Sequence, residues 1–236
     1  MKMKQMRRPP SRLFRAVKAA PWAWLLGGAL LALGGPPLTT PPVHAEQAGA
    51  GLEAFERFFN EINTLEARFG QVVLDENLNA IDDGQGMVWI KRPGRFRWNY
   101  EPPEAQEIIG DGERVWLHDI ALEQVTVRDQ ARALGRTPAS LLAGAGDLGQ
   151  TYKIEDIGTQ GQVAWVNLVP EDPESGFTEV RIGFEDHRLR LMELIDTLDQ
   201  RTRISFVDLK ENVPVADRIF EFAAPEGTDI IDETRQ

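Results

Sequence analysis

Between Gly84 and Tyr100 the chain reads G-Q-G-M-V-W-I-K-R-P-G-R-F-R-W-N-Y, two strand-like runs on either side of Arg92-Pro93-Gly94. Successive side chains of a strand point to opposite sides. In the second run this places Phe96, Trp98 and Tyr100 on one face and Arg95, Arg97 and Asn99 on the other. One face is aromatic and the other polar, and a sheet built this way has to cover its aromatic face.

Upstream, Leu52, Phe55, Phe58, Phe59 and Ile62 recur at spacings of three and four, which predicts a helix carrying three phenylalanines on a short stretch. Beyond Asn63 the pattern becomes alternation, with Leu65, Ala67 and Phe69 opposite Glu66 and Arg68, and Asp82-Asp83-Gly84 reads as a hairpin turn. After Pro102-Pro103, strands are predicted over 106–109, 114–118 and 124–128. The meander breaks at 129–146, where Thr137 suits an N-cap, Pro138 the first helical position, Leu141 and Leu142 an apolar pair, and Gly144 a stop. Strands resume over 152–157, 163–169, 177–184, 190–195, 203–209 and 219–222. About eleven short strands without β-α alternation indicate a mainly β fold, a barrel or strongly curled single sheet with a few helices.

The N-terminus changes the compartment. Seven basic residues precede an apolar run from Trp22 to Leu33 that is too short to span a bilayer, and Val43-His44-Ala45 offers small residues for cleavage. Residues 1–45 therefore read as a signal peptide and 46–236 as a single exported domain. Arg7-Arg8 leaves a twin-arginine route open beside the general one. The chain carries 26 Lys+Arg against 37 Asp+Glu, a net charge of −11, and loss of the seven N-terminal basic residues takes it to −18, which argues against nucleic acid as a partner. Cysteine is absent, which excludes disulfides, thiolate metal sites, cysteine nucleophiles and attachment of lipid to a cysteine.

Catalytic chemistry has little to draw on. Only His118 and His187 follow the signal, and Ser140, Ser175 and Ser205 sit in no nucleophile motif. No phosphate-binding glycine loop and no calcium loop occurs. Asp75-Glu76, Asp82-Asp83 and Asp196 with Asp199 fall where turns or solvated faces are expected, which leaves a carboxylate-dependent hydrolase as a secondary reading. No catalytic residue, metal site or cofactor is assigned.

Two amphipathic helical pieces and an aromatic-faced sheet permit two arrangements. The helices complete a packed core, or they plug a cavity suited to long hydrocarbon chains. Arg92 has the same ambiguity: an arginine beside a turn is commonly a solvated charge, yet its five donors also suit exposed helix-end carbonyls, as a latch on a lid.

The run Gly84-Gln85-Gly86, Val88-Trp89, Lys91-Arg92-Pro93, Phe96 and Trp98, followed by Asp111-Gly112, Val115-Trp116 and Thr137-Pro138 with Leu141, resembles the LolA family of periplasmic outer-membrane lipoprotein carriers. The likeness extends to Phe220, Phe222 and Pro225-Glu226-Gly227. It implies an incomplete antiparallel β-barrel covered by a helical lid, enclosing an apolar cavity for the acyl chains of lipoproteins. It further implies a soluble, monomeric periplasmic carrier, not an enzyme, loaded by an inner-membrane ABC transporter of the LolCDE type and unloaded by an outer-membrane receptor of the LolB type. By the family pattern Arg92 holds the lid shut, and Phe96 lies near the mouth. Phe55, Phe58, Phe59, Phe69, Val88, Trp98 and Trp116 join Phe96 around the cavity, and Pro138, Leu141 and Leu142 form the lid helix. Gly94-Arg95 departs from the pattern by adding a charge to the rim that the transporter would grip. The family's receptor is lipid-anchored through a cysteine, which favours the soluble carrier here. A lipoprotein-sensing regulatory domain remains the alternative binding function and would be expected to continue into a second domain.

Overall fold

The computed structural model describes residues 49–133, 137–144, 148–172 and 175–234. The expected signal peptide over 1–45 lies outside the described residues. Helix α1 (Ala50–Glu61) is followed by strands β1 (Thr64–Leu74), β2 (Ala80–Lys91), β3 (Arg95–Tyr100), β4 (Gln106–Asp111), β5 (Arg114–Asp119) and β6 (Gln124–Asp129). Three short helices interrupt the meander: α2 (Gln130–Ala133), α3 (Pro138–Leu142) and α4 (Leu148–Thr151). Strands β7 (Tyr152–Gln160), β8 (Val163–Pro170), β9 (Phe177–Glu185), β10 (Arg188–Asp196) and β11 (Arg201–Glu211) follow, then a 3₁₀ turn (Asp217–Phe220) and β12 (Asp229–Asp232).

All twelve strands form one sheet in the order β12-β6-β5-β4-β3-β2-β1-β11-β10-β9-β8-β7, so β12 and β7 are edges and the sheet is an open, incomplete barrel. Every pairing is antiparallel except that of β12 with β6. Register shifts at Glu66/Arg68, Asp156/Gly158 and Leu189/Leu191 bend the strands, as bulges do.

The concave face carries the main core, and α1 and α3 fill it. Helix α1 packs across β7 to β10 and α3 against β3. Ala54, Phe55 and Phe58 of α1 and Leu141 and Leu142 of α3 are buried with Phe69, Val88, Phe96 and Trp98 of the sheet. Phe58 meets Phe184 with ring centroids 5.9 Å apart. Leu52, expected on this apolar face, lies at its solvent edge instead.

The convex face carries a second apolar layer. Ile109, Val125 and Val127 are buried there, on the side of the sheet opposite Ile108, Val115 and Leu117, and the C-terminal segment crosses them with Phe220 and Phe222. This segment explains two further differences from the sequence reading. Residues 219–222, expected as a strand, lie partly in the 3₁₀ turn and pair with no strand among the described residues, and the last strand is β12, where the sequence pattern predicts none. Asp82-Asp83-Gly84 belongs to β2, not to a turn, because the chain reverses earlier. There Asp75 Oδ1 accepts from the backbone N–H groups of Asn77 and Asn79 at 2.9 and 2.8 Å.

Candidate functional site

The β2–β3 hairpin carries Arg92 at the point where two helix C-termini meet. The last carbonyls of a helix have no partner within it and carry the negative end of its dipole. Arg92 Nη1 donates to the carbonyls of Phe58 and Ile62 at the end of α1. Its Nη2 and Nε donate to the Leu142 carbonyl at the end of α3, at 2.9 and 3.3 Å. The guanidinium also lies over the rings of Phe58 and Phe59, 4.5 and 4.7 Å from their centroids, a favourable placement for a cation.

Arg92 is therefore not a solvated turn charge. Burial pushes its guanidinium down to about 10, with no carboxylate contributing to the shift. The cation is held by neutral carbonyls and aromatic faces alone. Each charge-assisted bond is worth about 1.5–3 kcal/mol, and desolvation of the charge offsets much of that gain. The result is a single buried cation that joins the ends of two helices.

Neighbouring groups set the hairpin that presents Arg92. Its backbone N–H donates to Asn63 O at 2.8 Å, and Gly94 N–H donates to Ala143 O at 3.1 Å. Gln130, buried on α2, donates from Nε2 to Gly94 O at 2.6 Å and accepts at Oε1 from Gly112 N–H at 3.1 Å. No sequence pattern marked Gln130. Helix α3 begins as its sequence suggests, with Thr137 Oγ1 accepting from Ser140 N–H at 3.1 Å and Pro138 in the first turn. Gly144, just past its end, has φ +61°, and a Cβ there would lie 3.2 Å from Arg92 Nε.

Of the residues singled out from the sequence, Phe55, Phe58, Phe69, Val88, Phe96, Trp98, Leu141 and Leu142 share the concave core, and Phe59 packs against it. Trp116 does not. Its strand neighbours Val115 and Leu117 face the core, which turns Trp116 outward onto Phe222, 5.3 Å away between ring centroids. Arg95 sits beside the C-terminal segment. Its Nη1 is 2.8 Å from Asp217 Oδ1 and its guanidinium 5.8 Å from the Phe220 centroid, so its charge is engaged within the chain.

At the other end of the sheet, Gln71, Tyr100, Gln85, Asp82, Glu101 and Asp119 line part of a cleft of about 550 Å³. Tyr100 lies on the concave face and donates to Gln71 Oε1 at 3.0 Å, and burial pushes its phenol up to about 12. Among the described residues no group of three or more His, Asp or Glu side chains is placed to hold a metal ion.

A curled open sheet whose aromatic face is covered by helices, clasped at their ends by one buried arginine, defines the class: a lidded carrier of apolar ligands. The profile of the outer membrane lipoprotein carrier protein LolA matches residues 60–223, and the chain belongs to that family. It is 40% identical over 183 residues to an outer-membrane lipoprotein carrier protein of Methylobacillus flagellatus, covering 78% of this chain and 89% of that one. A carrier of the same description from Nitrosospira multiformis is 39% identical over 197 residues, covering 83% and 93%. A crystal structure of a LolA superfamily protein from Nitrosomonas europaea aligns over 75% of this chain and 99% of its own at 13% identity, with a TM-score of 0.44.

Proposed function

We propose that this chain takes the acyl chains of lipoproteins onto the concave face of its sheet and delivers them across the periplasm by opening and closing α1 and α3 over that face. The family's members are non-enzymatic periplasmic carriers of lipoproteins. Loading comes from an inner-membrane ABC transporter and unloading goes to an outer-membrane receptor, with residues 1–45 serving as the export signal. The carrying observation is that one side chain, Arg92, bridges the C-termini of both covering helices.

The energetics require such a clasp. Acyl chains gain about 0.8 kcal/mol for each buried CH₂, so a deep apolar site would hold cargo too tightly to release it. In the closed form the protein fills that surface with Phe58, Leu141 and Leu142. Closure therefore competes with cargo, and the Arg92 contacts set how strongly.

Arg92→Leu is expected to fold, to load from membranes, and to pass cargo to a lipid-anchored receptor at least about tenfold less well, a shift of ~1.4 kcal/mol in the closing equilibrium. Arg92→Lys is expected not to rescue transfer, since one ammonium cannot donate in a planar fork to two helix ends. Transfer would be followed with purified transporter, ATP and receptor, and stability by thermal melting. Equal losses of loading, transfer and melting temperature would reduce Arg92 to a core residue.

A further inference from the structure

Trp98 is an anomaly in the concave core. Its side chain is among the largest that are fully buried, 1% exposed, and its indole Nε1–H has no acceptor among the described residues. A buried N–H left unpaired is costly, and Trp is usually placed where that donor finds a partner. Phenylalanine would supply the same apolar bulk without the donor.

The surroundings show where a partner would sit. Trp98 and Tyr100 lie two apart on β3, on the same face, and both rings pack on Phe69 at 4.6 and 5.0 Å between centroids. The Tyr100 hydroxyl is the acceptor nearest to hand, close enough for the indole to lower the phenol's proton affinity, but the pair falls short of hydrogen-bond distance and angle, so the N–H is left without a well-formed bond. Tyr100 already donates to Gln71, and Tyr100 and Gln71 both line the acidic rim cleft. On β2, Gly86 pairs with Tyr100, and a Cβ on Gly84 would lie 3.2 Å from the Tyr100 ring, so bare backbone gives these aromatics room. The concave face thus passes from buried aromatics through one unpaired donor to a polar rim.

We propose that the Trp98 indole N–H is a hydrogen-bond donor for a carbonyl oxygen of the acyl cargo, at the ester or amide that joins a hydrocarbon chain to its polar head. This rests on the carrier reading and adds a polar subsite and a direction to it. The chain beyond the carbonyl runs among Phe96, Phe58 and the other aromatics toward Arg92, and the polar head lies toward Tyr100, Gln71 and the rim cleft, the opposite end of β3 from the mouth beside Phe96 that the family pattern implies. The N–H is unpaired in the closed form because its acceptor arrives with the ligand.

The test compares a synthetic triacylated lipopeptide with its ether-linked counterpart, equal in chain length but without acyl carbonyls, by titration against the full mature chain. The wild type is expected to bind the carbonyl-bearing form about two- to tenfold more tightly, the range of one net hydrogen bond. Trp98→Phe is expected to lose that preference, its affinities for the two lipopeptides becoming equal whatever their absolute level. Replacing Trp98 with benzothienylalanine, which keeps the shape and exchanges N–H for sulfur, guards against a packing effect and is expected to behave as Trp98→Phe. A ¹³C label at the acyl carbonyl gives a second readout, a lowered stretching frequency on the wild type only. Equal binding of both lipopeptides by the wild type, or a preference that survives both replacements, overturns the subsite and leaves the carrier reading standing. Binding of neither lipopeptide overturns the carrier reading and the subsite with it.

Discussion

At the scale of single residues, the chain places a buried cation where two helix dipoles end, and everything near Arg92 has to fit its guanidinium. Gly144 is the tightest case. Its φ of +61° disfavours any side chain, and a Cβ there would press on Arg92 Nε and Cδ at 3.2 and 3.3 Å. Gly144→Ala is expected to lower stability by about 1–2 kcal/mol, more than the strain alone, because it also moves the clasp. Denaturant unfolding measures the loss, and faster amide exchange at Gly94 and Ala143 would show that the hairpin–lid bond has loosened. A loss without that local change would separate Gly144 from the latch. The sequence made Gly144 visible as a helix stop, but not as a neighbour of Arg92, 52 positions earlier.

At the scale of elements, the lid helix is short and depends on its ends. Helix α3 spans Pro138–Leu142, and its N-terminus is held by the Thr137 hydroxyl. Thr137→Ala is expected to cost about 1 kcal/mol, the usual worth of such a cap. The cost should fall on local opening, with amides of residues 140–143 exchanging faster and the midpoint of global unfolding nearly unmoved. Elements were legible where local chemistry dominates, as in the cap-proline start of α3 and the aromatic alternation of β3. They were misread where two signals compete. Asp82-Asp83-Gly84 carries good turn residues, yet Asp75 with Asn77 and Asn79 forms the turn, with Leu78 at φ 64° disguising it, and Gly84 instead lies beneath the Tyr100 ring. Strand β12 escaped because all four of its residues are exposed, so burial leaves no alternation to read. Trp116 is placed at the cavity by the resemblance alone, and the pleat that buries Val115 on the concave face puts its neighbour on the other.

At the scale of the whole sheet, the two faces divide stability from motion. A carrier that uncovers its main core has to keep its sheet intact while the lid is away, and the convex layer supplies that support. Lys91 and Arg95, on either side of the Arg92 hairpin, both pair with Asp217 at the head of the C-terminal segment. Arg97 donates to Ile219 O at 3.2 Å and binds Glu107 at 2.6 Å. Phe220 is buried, and Phe222 covers Trp116 and His118. This segment clamps β2 to β6 from outside. Phe220→Ala is therefore expected to cost about 3–5 kcal/mol, as for a fully buried phenylalanine, with amide exchange across β3 to β6 accelerating together. Relative to that global change, opening of α3 and transfer of cargo should be preserved at temperatures where the variant is folded. Arg92→Leu should give the reverse, a small change in unfolding and a large one in transfer. If Phe220→Ala instead impaired transfer at full folding, the convex segment would be part of the moving machinery, and the sheet would not be the fixed frame against which the lid works.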